Sequence, residues 1–335
     1  MLRDSLGRPL KDLRISVTDR CNFRCPYCMP AETYGEKYRF LPHKEILTFE
    51  EIARLTRLLV GFGAGKVRLT GGEPLLREEL PELVGQLSAI EGVADLTLTT
   101  NGSLLAGAAP ALKRAGLHRL TVSLDSLDEE VFIKMNGRGL SPDRVLEGID
   151  AAEAAGLSPL KINAVVMRGL NEDSIVPLAR RFRGTGHIMR FIEYMDVGNV
   201  NDWKMDQVVP AAEILARIDA VFPVEPLEAN YQGEVARRYR YKDDAGEVGI
   251  IASVTQPFCG DCTRARLSTD GRLFTCLFGT QGTDLRGPLR SGASDDELRD
   301  IIGDTWTRRS DRYSEERAGL RIRTPGKIEM FQIGG

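Results

Sequence analysis

Short apolar stretches alternate with longer amphipathic ones along the first two-thirds of this chain. The short stretches are rich in Val, Ile, Leu and Thr, which is typical of strands covered on both faces. Since parallel strands need crossover connections, the alternation predicts a parallel sheet with helices between its strands. The six predicted strands span residues 13–18, 66–70, 95–100, 119–124, 160–167 and 187–194.

Local signals mark where several of the helices begin and end. Residues 48–51 have the Thr-x-x-Glu spacing of a capping box, which predicts a helix from there to residue 60. Ser141 and Pro142 predict the N-cap and the first turn of another helix, and Gly156 predicts its end. Further helices are expected over residues 78–90, 104–115 and 174–182.

The number of strand–helix units limits the fold. A closed (β/α)8 barrel needs eight strands and about 250 residues, but the alternation fades near residue 220 after six units. We therefore expect an incomplete (βα)6 barrel of the TIM type, an α/β fold, over residues 1–220. An open flavodoxin-like sheet is the competing topology, because spacing alone does not distinguish the two.

The remaining residues, 221–335, have a different pattern and are predicted to form a smaller, hairpin-rich C-terminal domain. The stretches that pair in the two expected hairpins are 237–241 with 248–251 and 265–268 with 273–276. The second hairpin contains Asp270-Gly271, a strong turn signal. A polar helix follows over residues 295–307. We expect this part of the chain to cover the open side of the barrel.

Composition narrows the class of protein. Of 335 residues, 42% are hydrophobic and 28% are charged, which excludes wholesale disorder. No apolar run is long enough to span a bilayer, and charge at Arg3 and Asp4 argues against a signal peptide. The net charge of -3 argues against nucleic acid as a partner. A cytoplasmic enzyme without a membrane partner is therefore the expected class.

Six cysteines in two groups of three carry the strongest chemical signal. The first group has CxxxCxxC spacing directly after the first predicted strand, and the second joins a CxxC pair to one cysteine after thirteen intervening residues. A [4Fe–4S] cluster held by three thiolates keeps one iron open for another ligand, which favours a catalytic site over a structural one. The groups are Cys21, Cys25 and Cys28, and Cys259, Cys262 and Cys276.

Two other uses of the cysteines stay open at this point. Disulfides suit oxidising compartments and small secreted domains, which this sequence does not resemble. Structural zinc takes four Cys or His ligands, and the sequence has three histidines, His43, His118 and His187. His43 could complete the first group, but no histidine lies within fifty residues of the second. A zinc-stabilised binding module without catalysis is the alternative from a different class.

The first cysteine group and a glycine-rich turn resemble a known family. The spacing Cys21-x3-Cys25-x2-Cys28 resembles the signature of the radical S-adenosylmethionine (SAM) superfamily. Residues 71–74, Gly-Gly-Glu-Pro after the second strand, resemble the GGEP segment of that superfamily, although alone they would indicate a simple turn. The resemblance implies that the open iron chelates SAM, whose reductive cleavage yields a 5′-deoxyadenosyl radical.

The second cysteine group narrows the resemblance. Residues 259–276, with Thr-Arg-Ala-Arg between the last two cysteines, are similar to those of the molybdenum cofactor biosynthesis protein A family of GTP cyclases. The similarity runs from Leu13 to the terminal Gly-Gly. It implies a second [4Fe–4S] cluster, GTP as the substrate, an electron donor protein and a next enzyme of molybdopterin synthesis. The oligomeric state stays open, with a homodimer as one outcome, and another radical SAM maturase with an auxiliary cluster is the alternative within the superfamily.

The same resemblance implies the site residues. The SAM cluster would be held by Cys21, Cys25 and Cys28, and the auxiliary cluster by Cys259, Cys262 and Cys276. The expected contacts of SAM are Tyr27, Gly72, Ser123 and Met195, and those of GTP are Arg14, Arg68, Thr99, Lys161, Arg264 and Arg266. The residues implied in catalysis, as positioning groups or as an inserted tail, are Arg264, Arg266, Gly334 and Gly335.

Physical chemistry supports the cationic part of this set. A triphosphate needs arginine forks even in an acidic protein. Arg14, Arg68 and Lys161 lie on separate predicted strands and can converge in one barrel lumen. Arg264 and Arg266 share a face if their segment is extended. Taken singly and without the resemblance, each of these side chains is better explained as solvated surface charge, because most Lys and Arg residues are exposed.

The resemblance also implies the reaction. The 5′-deoxyadenosyl radical removes H3′ from the ribose of GTP, the C3′ radical attacks C8 of guanine, and reduction gives a cyclised 7,8-dihydro-GTP. The contribution expected from the protein is to position the reacting atoms. No general acid or base is predicted, because radical abstraction does not require one.

Overall fold

Six parallel strands lie side by side in the order of the sequence in the computed structural model, which describes residues 1–317 and 326–334. They are β1 (Asp12–Ser16), β2 (Lys66–Thr70), β3 (Asp95–Thr100), β4 (Arg119–Ser123), β5 (Lys161–Val166) and β6 (Ile188–Glu193). Each agrees with its prediction to within two residues at either end. The sequential order is that of a TIM-type barrel and contradicts the flavodoxin-like alternative, in which the first strand lies between the second and the third.

Helices make the crossovers between these strands. They are α1 (Phe49–Gly61), α2 (Leu80–Ser88), α3 (Leu105–Arg114), α4 (Glu129–Asn136), α5 (Asp143–Ala154) and α6 (Ile175–Phe182). The predicted capping box is confirmed, since Thr48 and Glu51 each accept the other's backbone N–H. The predicted N-cap at Ser141 is wrong: α5 is preceded by Pro142 and has no side-chain cap.

The C-terminal part of the chain adds strands to both edges of this sheet. Its strands are β7 (Val224–Leu227), β8 (Arg237–Tyr241), β9 (Glu247–Ile251), β10 (Arg264–Leu267), β11 (Arg272–Phe274) and β12 (Thr283–Asp284). β9 pairs with β6 and β10 pairs with β1, both in parallel. The two predicted hairpins are confirmed as the antiparallel pairs β8–β9 and β10–β11.

The resulting sheet has twelve strands and does not close. Its order is β12-β11-β10-β1-β2-β3-β4-β5-β6-β9-β8-β7, so that, in the part of the chain that is described, the two edge strands are β12 and β7, which do not pair with each other. The incomplete barrel is therefore confirmed. The domain division at residue 220 stays a prediction, because strands from both sides of that point share one sheet.

Further helices follow β6. They are α7 (Ala211–Asp219), α8 (Arg286–Arg290), α9 (Asp295–Thr307), α10 (Tyr313–Glu316) and α11 (Met330–Ile333). α9 begins and ends as predicted, with a capping box between Ser294 and Glu297. Within the described ranges, no helix has the length and apolar character needed to cross a membrane.

The barrel strands separate an apolar face from a polar one. Leu13 and Ile15 of β1 are fully buried in the main hydrophobic core, and so are Val67 and Leu69 of β2. Arg14 lies between Leu13 and Ile15, and Arg68 lies between Val67 and Leu69; both arginines line the barrel lumen. Because side chains alternate across a strand, the apolar residues pack toward the helices while the polar ones point into the barrel.

Candidate functional site

One cavity occupies the barrel lumen and continues beneath the C-terminal strands. All six cysteines line it. The other predicted site residues that line it are Arg14, Tyr27, Arg68, Gly72, Thr99, Ser123, Lys161, Met195, Arg264 and Arg266. The structure thus brings together sixteen residues that the sequence places from position 14 to position 276, although their individual roles stay predictions.

The first cysteine group lies on the loop that follows β1. Arg24 braces this loop, since its guanidinium donates to the carbonyl oxygens of Cys21 (2.7 Å) and Tyr34 (2.6 Å). Burial, with the negative charge of Glu73, raises the pKa of the Cys21 thiol to about 12. Burial likewise raises the pKa of Cys25 well above its ordinary value. Such buried thiols become stable thiolates when a metal centre supplies positive charge.

The Gly-Gly turn after β2 packs directly against that loop. A methyl group on Gly72 would lie 2.2 Å from the carbonyl oxygen of Arg20, and one on Gly71 would lie 2.4 Å from that of Thr18. Gly71 also has a φ of +136°, which favours glycine. The glycines are therefore required for the close approach of the turn to the backbone just before Cys21.

Two buried carboxylates near the first cysteine group were not predicted as site residues. Asp125, after β4, accepts the hydroxyl hydrogen of Tyr27 at 2.8 Å and the backbone N–H of Val165 at 2.8 Å. Glu73 accepts from Thr100 Oγ1 at 2.7 Å and from the backbone N–H of Asn101 at 2.7 Å. Burial raises the pKa of Asp125 to about 6 and that of Glu73 to about 7. Both hold neighbouring loops at the C-terminal ends of barrel strands, where active sites of this fold lie.

The second cysteine group lies around the start of β10. Arg309 Nη2 lies 3.0 Å and Arg264 Nη2 lies 3.3 Å from the sulfur of Cys262. Burial alone would raise the pKa of this thiol, but Arg264 and Arg309 lower it to about 6. Burial raises the pKa of Cys276 to about 11. The second group thus contains a thiolate already stabilised by two guanidinium groups.

The chemistry of both groups fits iron–sulfur clusters. All six cysteines are free thiols, so no disulfide competes for them. Across residues 1–317 and 326–334, no three His, Cys, Asp or Glu side chains converge where a single metal ion would bind. A [4Fe–4S] cluster does not need such convergence, because each thiolate binds a different iron. The zinc alternative does need it.

Cationic side chains form rows across the lumen, set by the strand register. Arg14 pairs in register with Arg266 on one side and Arg68 on the other. Two residues earlier, Asp12 stands between Arg264 and Lys66 in the same way. Because residues two apart share a face, both rows point into the barrel. The predicted convergence of Arg14 and Arg68, and the shared face of Arg264 and Arg266, are what the register produces.

Burial and mutual repulsion destabilise these cations in the absence of an anion. Burial, followed by the charges of Arg266, Arg264 and Arg68, lowers the pKa of Arg14 well below its ordinary value. Burial and Arg190 lower the pKa of Lys161 to about 7. Positive charges in such a position favour binding of a polyanion, because its negative charge offsets their mutual repulsion and stabilises their buried charged forms.

Sequence reasoning missed two cations on the barrel strands, besides Arg309 at the second cysteine group. Lys66 stands two residues before Arg68 on β2 and lies 3.5 Å from Asp12. Arg190 on β6 is 8% exposed and donates from Nε to Asn163 Oδ1 at 3.0 Å. Burial and the charge of Arg68 lower the pKa of Arg190 to about 9. The period-2 alternation of their strands was the signal that could have identified both.

The chain's C-terminal segment, residues 326–334, runs along the wall of the cavity. Arg266 Nη1 donates to the carbonyl oxygen of Gly334. The Cα of Gly334 approaches Thr70 so closely that a methyl group there would lie 2.0 Å from its Cγ2. Gly334 thus contacts Arg266, which lines the cavity, while a catalytic role of the tail stays a prediction and Gly335 lies outside the described residues.

Comparisons with known proteins agree with this arrangement. Residues 15–182 match the family model of the Radical SAM superfamily, and residues 187–315 match that of Molybdenum Cofactor Synthesis C. A protein of Acidothermus cellulolyticus named GTP 3',8-cyclase is 57% identical over 100% of this chain and 99% of its own length. Proteins of the same name from Xanthomonas axonopodis pv. citri (53%) and Staphylococcus carnosus (48%) are also similar over 100% of this chain and 99% of theirs.

Solved structures are similar in fold. SuiB of Streptococcus suis bound to S-adenosylmethionine matches 91% of this chain and 69% of its own, with a TM-score of 0.61 and 18% identity. Methylornithine synthase PylB matches 64% of this chain and 63% of its own, with a TM-score of 0.50 and 19% identity. The fold, the two family matches and the full-length relatives agree: the chain belongs to the radical SAM superfamily and, within it, to the GTP 3',8-cyclase family.

Proposed function

We propose that this protein is a radical SAM GTP 3',8-cyclase. It converts GTP to (8S)-3',8-cyclo-7,8-dihydroguanosine 5'-triphosphate, the first step of molybdenum cofactor biosynthesis. The observation that carries the proposal is a single cavity lined by two cysteine groups and by rows of buried cations. Relatives that share its whole length and this name support the choice of reaction. As a member of its superfamily, the protein uses S-adenosyl-L-methionine and an iron–sulfur cluster.

In this proposal Cys21, Cys25 and Cys28 hold the cluster that binds SAM. When bound and reduced, this cluster supplies the electron that cleaves SAM to a 5′-deoxyadenosyl radical. The chain's own part is to orient the cofactor. Met195, after β6, and the other predicted SAM contacts line the same cavity, at or beyond the C-terminal ends of their strands.

A second cluster, held by Cys259, Cys262 and Cys276, belongs to the same proposal. The support for it is the environment of Cys262, where Arg264 and Arg309 balance the charge of a thiolate. One iron of this cluster would have no cysteine ligand and would be free to bind the guanine base. The ribose would then lie between the two cysteine groups, which is where hydrogen transfer to the deoxyadenosyl carbon requires it.

The phosphates of GTP are the polyanion that the lumen is built to receive. Eight Lys or Arg residues line the cavity against three Asp residues, although the whole chain carries a net charge of -3. Guanidinium forks bind phosphate oxygens in pairs and with defined geometry. When its phosphates are bound by these cations, GTP directs its ribose and base toward the cysteine groups.

The proposed reaction also needs two protein partners. One is a protein that donates the electron for SAM cleavage, and the other is an enzyme of molybdopterin synthesis that consumes the cyclised nucleotide. A cytoplasmic location and a homodimer both stay predictions.

Anaerobic turnover tests the proposal directly. The protein is reconstituted with iron and sulfide and given dithionite, SAM and GTP, and 5′-deoxyadenosine and the cyclised nucleotide are followed by mass spectrometry. We expect both products in matched amounts. Deoxyadenosine without a GTP-derived product would assign another substrate. A colourless, zinc-loaded protein that forms neither product would overturn the iron–sulfur chemistry.

A further inference from the structure

A buried ion pair ties the C-terminal segment to the loop that follows β6. The Nζ of Lys327 lies 3.0 Å from Oδ2 of Asp196 and donates to the Asp196 carbonyl oxygen at 3.0 Å. The side chains of both residues are almost completely buried, with 1% and 2% exposure. None of the steps proposed above uses this pair, so its presence needs another explanation.

Aromatic and charged neighbours enclose the pair. The hydroxyl of Tyr313 donates to Asp196 Oδ2 at 2.6 Å, and its ring stacks on that of Phe278 with 4.4 Å between centroids. The Lys327 ammonium lies 4.3 Å from the centroid of the Tyr313 ring. Arg317 Nε lies 2.9 Å from Asp196 Oδ1. Burial alone would raise the pKa of Asp196, but Arg317, with Tyr313 and Lys327, lowers it below its ordinary value.

The same loop holds the segment a second time, through Asn199. The amide oxygen of Asn199 accepts the backbone N–H of Lys327 at 3.1 Å, and its backbone N–H donates to Glu329 Oε1 at 3.0 Å. The loop between Met195 and Asn199 therefore makes contacts of two kinds. Met195 is a predicted contact of SAM, whereas Asp196 and Asn199 bind the C-terminal segment.

After Lys327 the C-terminal segment lies close to both cysteine groups and ends at Arg266. Phe331 packs against Tyr34 in a small core to which Cys21 and Cys28 also belong. The backbone N–H of Ile328 donates to the carbonyl oxygen of Gly279, three residues after Cys276, at 3.0 Å. The path ends where Arg266 meets Gly334.

We propose that the Lys327–Asp196 pair is a latch that positions the C-terminal segment in the cavity. A buried ion pair adds little net stability compared with apolar residues, so its value lies in fixing one arrangement. Here the pair joins the start of the C-terminal segment, at Lys327, to the loop that carries Met195. The other end of the segment, at Gly334, contacts Arg266. The inference rests on the proposed function, because it assigns the latch to the cyclisation half of that reaction.

The test compares Lys327→Met with Lys204→Met. The first removes the ammonium but keeps an unbranched side chain of similar length, whereas Lys204 is a mostly exposed lysine near the same loop and serves as the matched control. We expect Lys327→Met to form 5′-deoxyadenosine at the wild-type rate and to lose about tenfold or more of the cyclised nucleotide per SAM cleaved. Hydrogen exchange of the amides of residues 328–334 should be faster by a similar factor, with the barrel strands unchanged.

Further variants separate a latch from general instability. Lys327→Arg keeps a buried cation and should retain most of the product ratio. Asp196→Asn removes the other charge of the pair and should lower the product ratio as Lys327→Met does. It therefore provides the test if Lys327→Met does not fold. Wild-type product ratios and exchange rates in both Lys327→Met and Asp196→Asn would overturn the latch while leaving the cyclase assignment intact. Faster exchange throughout the barrel would overturn it as well, by assigning the pair to overall stability. Failure of the wild-type chain to make cyclised nucleotide would instead contradict the proposed function.

Discussion

Individual residues in the cavity differ in how their charge is balanced. The thiol of Cys262 has two guanidinium groups within hydrogen-bonding distance of its sulfur, whereas the pKa of Cys276 is raised by burial. Burial and the neighbouring cations lower the pKa of Lys161. Such imbalances identify which ligand each residue lacks: a metal centre for the buried thiols and an anion for the buried cations.

Replacing Cys276 with serine tests the second cluster. A serine oxygen is a poorer iron ligand than a thiolate, so the variant should lose that cluster and keep the first. We expect the iron content to fall from about eight to about four per chain. Cyclised nucleotide should disappear while some 5′-deoxyadenosine is still formed, as measured by mass spectrometry. Unimpaired cyclisation by Cys276→Ser would remove this residue from the site.

Lys161 gives GTP binding a dependence on pH. Its pKa of about 7 means that the free ammonium loses its proton as the pH rises through that value, and a bound triphosphate favours the charged form. The affinity for GTP should therefore fall between pH 7.5 and 8.5, by at most about tenfold per pH unit. Lys161→Arg stays charged throughout this range, and its titration by equilibrium dialysis should be flatter. Equal slopes for the two proteins would place Lys161 away from the phosphates.

At the scale of elements, strands were easier to predict than the turns that carry the chemistry. Each barrel strand contains β-forming residues between clear breaks, and its bounds follow from that composition. α5 shows the limit, since Ser141 has the residue type of an N-cap, but the backbone of Pro142 takes that position. The close contact between the turn at Gly72 and the loop before Cys21 is a tertiary feature, which residue type suggests only through the presence of glycine.

That contact predicts the effect of a single methyl group. Gly72→Ala would place a Cβ 2.2 Å from the carbonyl oxygen of Arg20, so the turn and the cysteine loop must separate. We expect impaired loading of the first cluster and a loss of SAM cleavage of about tenfold or more, since active sites tolerate displacements of about 1 Å poorly. The matched control is Gly85→Ala within α2, where a methyl group meets nothing within 4 Å. It should stabilise the fold by about 0.5–1 kcal/mol. Visible absorption, iron content and thermal unfolding report on both variants, and normal loading of Gly72→Ala would contradict the argument.

At the scale of the whole molecule, the sequence predicted the parts of the site better than their arrangement. The cysteine spacing and the strand order indicated an open barrel with two cysteine groups. Period-2 alternation could have placed Lys66 and Arg190 on the inward faces of their strands, but the register that sets Lys66 beside Asp12 and Arg190 beside Asn163 is contained in neither net charge nor local pattern. The path of the tail from Asp196 to Arg266 depends on contacts between residues more than sixty positions apart, and short-range patterns cannot predict such contacts.

The concentration of cations in an acidic chain leads to a prediction for the intact protein. Bringing the buried cations together costs free energy in folding, and a polyanion that binds only the folded state returns part of it. Inorganic tripolyphosphate, which carries the charge of the substrate without its nucleoside, should therefore raise the melting temperature. At 100 times its Kd the stabilisation is about 2.7 kcal/mol, which corresponds to a rise of a few degrees in a chain of this size.

Matched variants decide whether that stabilisation arises in the barrel. Arg190→Gln removes a buried guanidinium of the lumen and should reduce the thermal shift, whereas Arg299→Gln removes an exposed one on α9 and should leave it unchanged. Orthophosphate at equal ionic strength should have little effect, because it cannot bridge several cations at once. Since a polyanion bound to the outer surface would stabilise both variants alike, equal shifts in Arg190→Gln and Arg299→Gln would place the phosphate site outside the lumen. A reduced shift in Arg190→Gln alone would make the cation rows the phosphate end of the cavity, with the cysteine groups left for the ribose and the base.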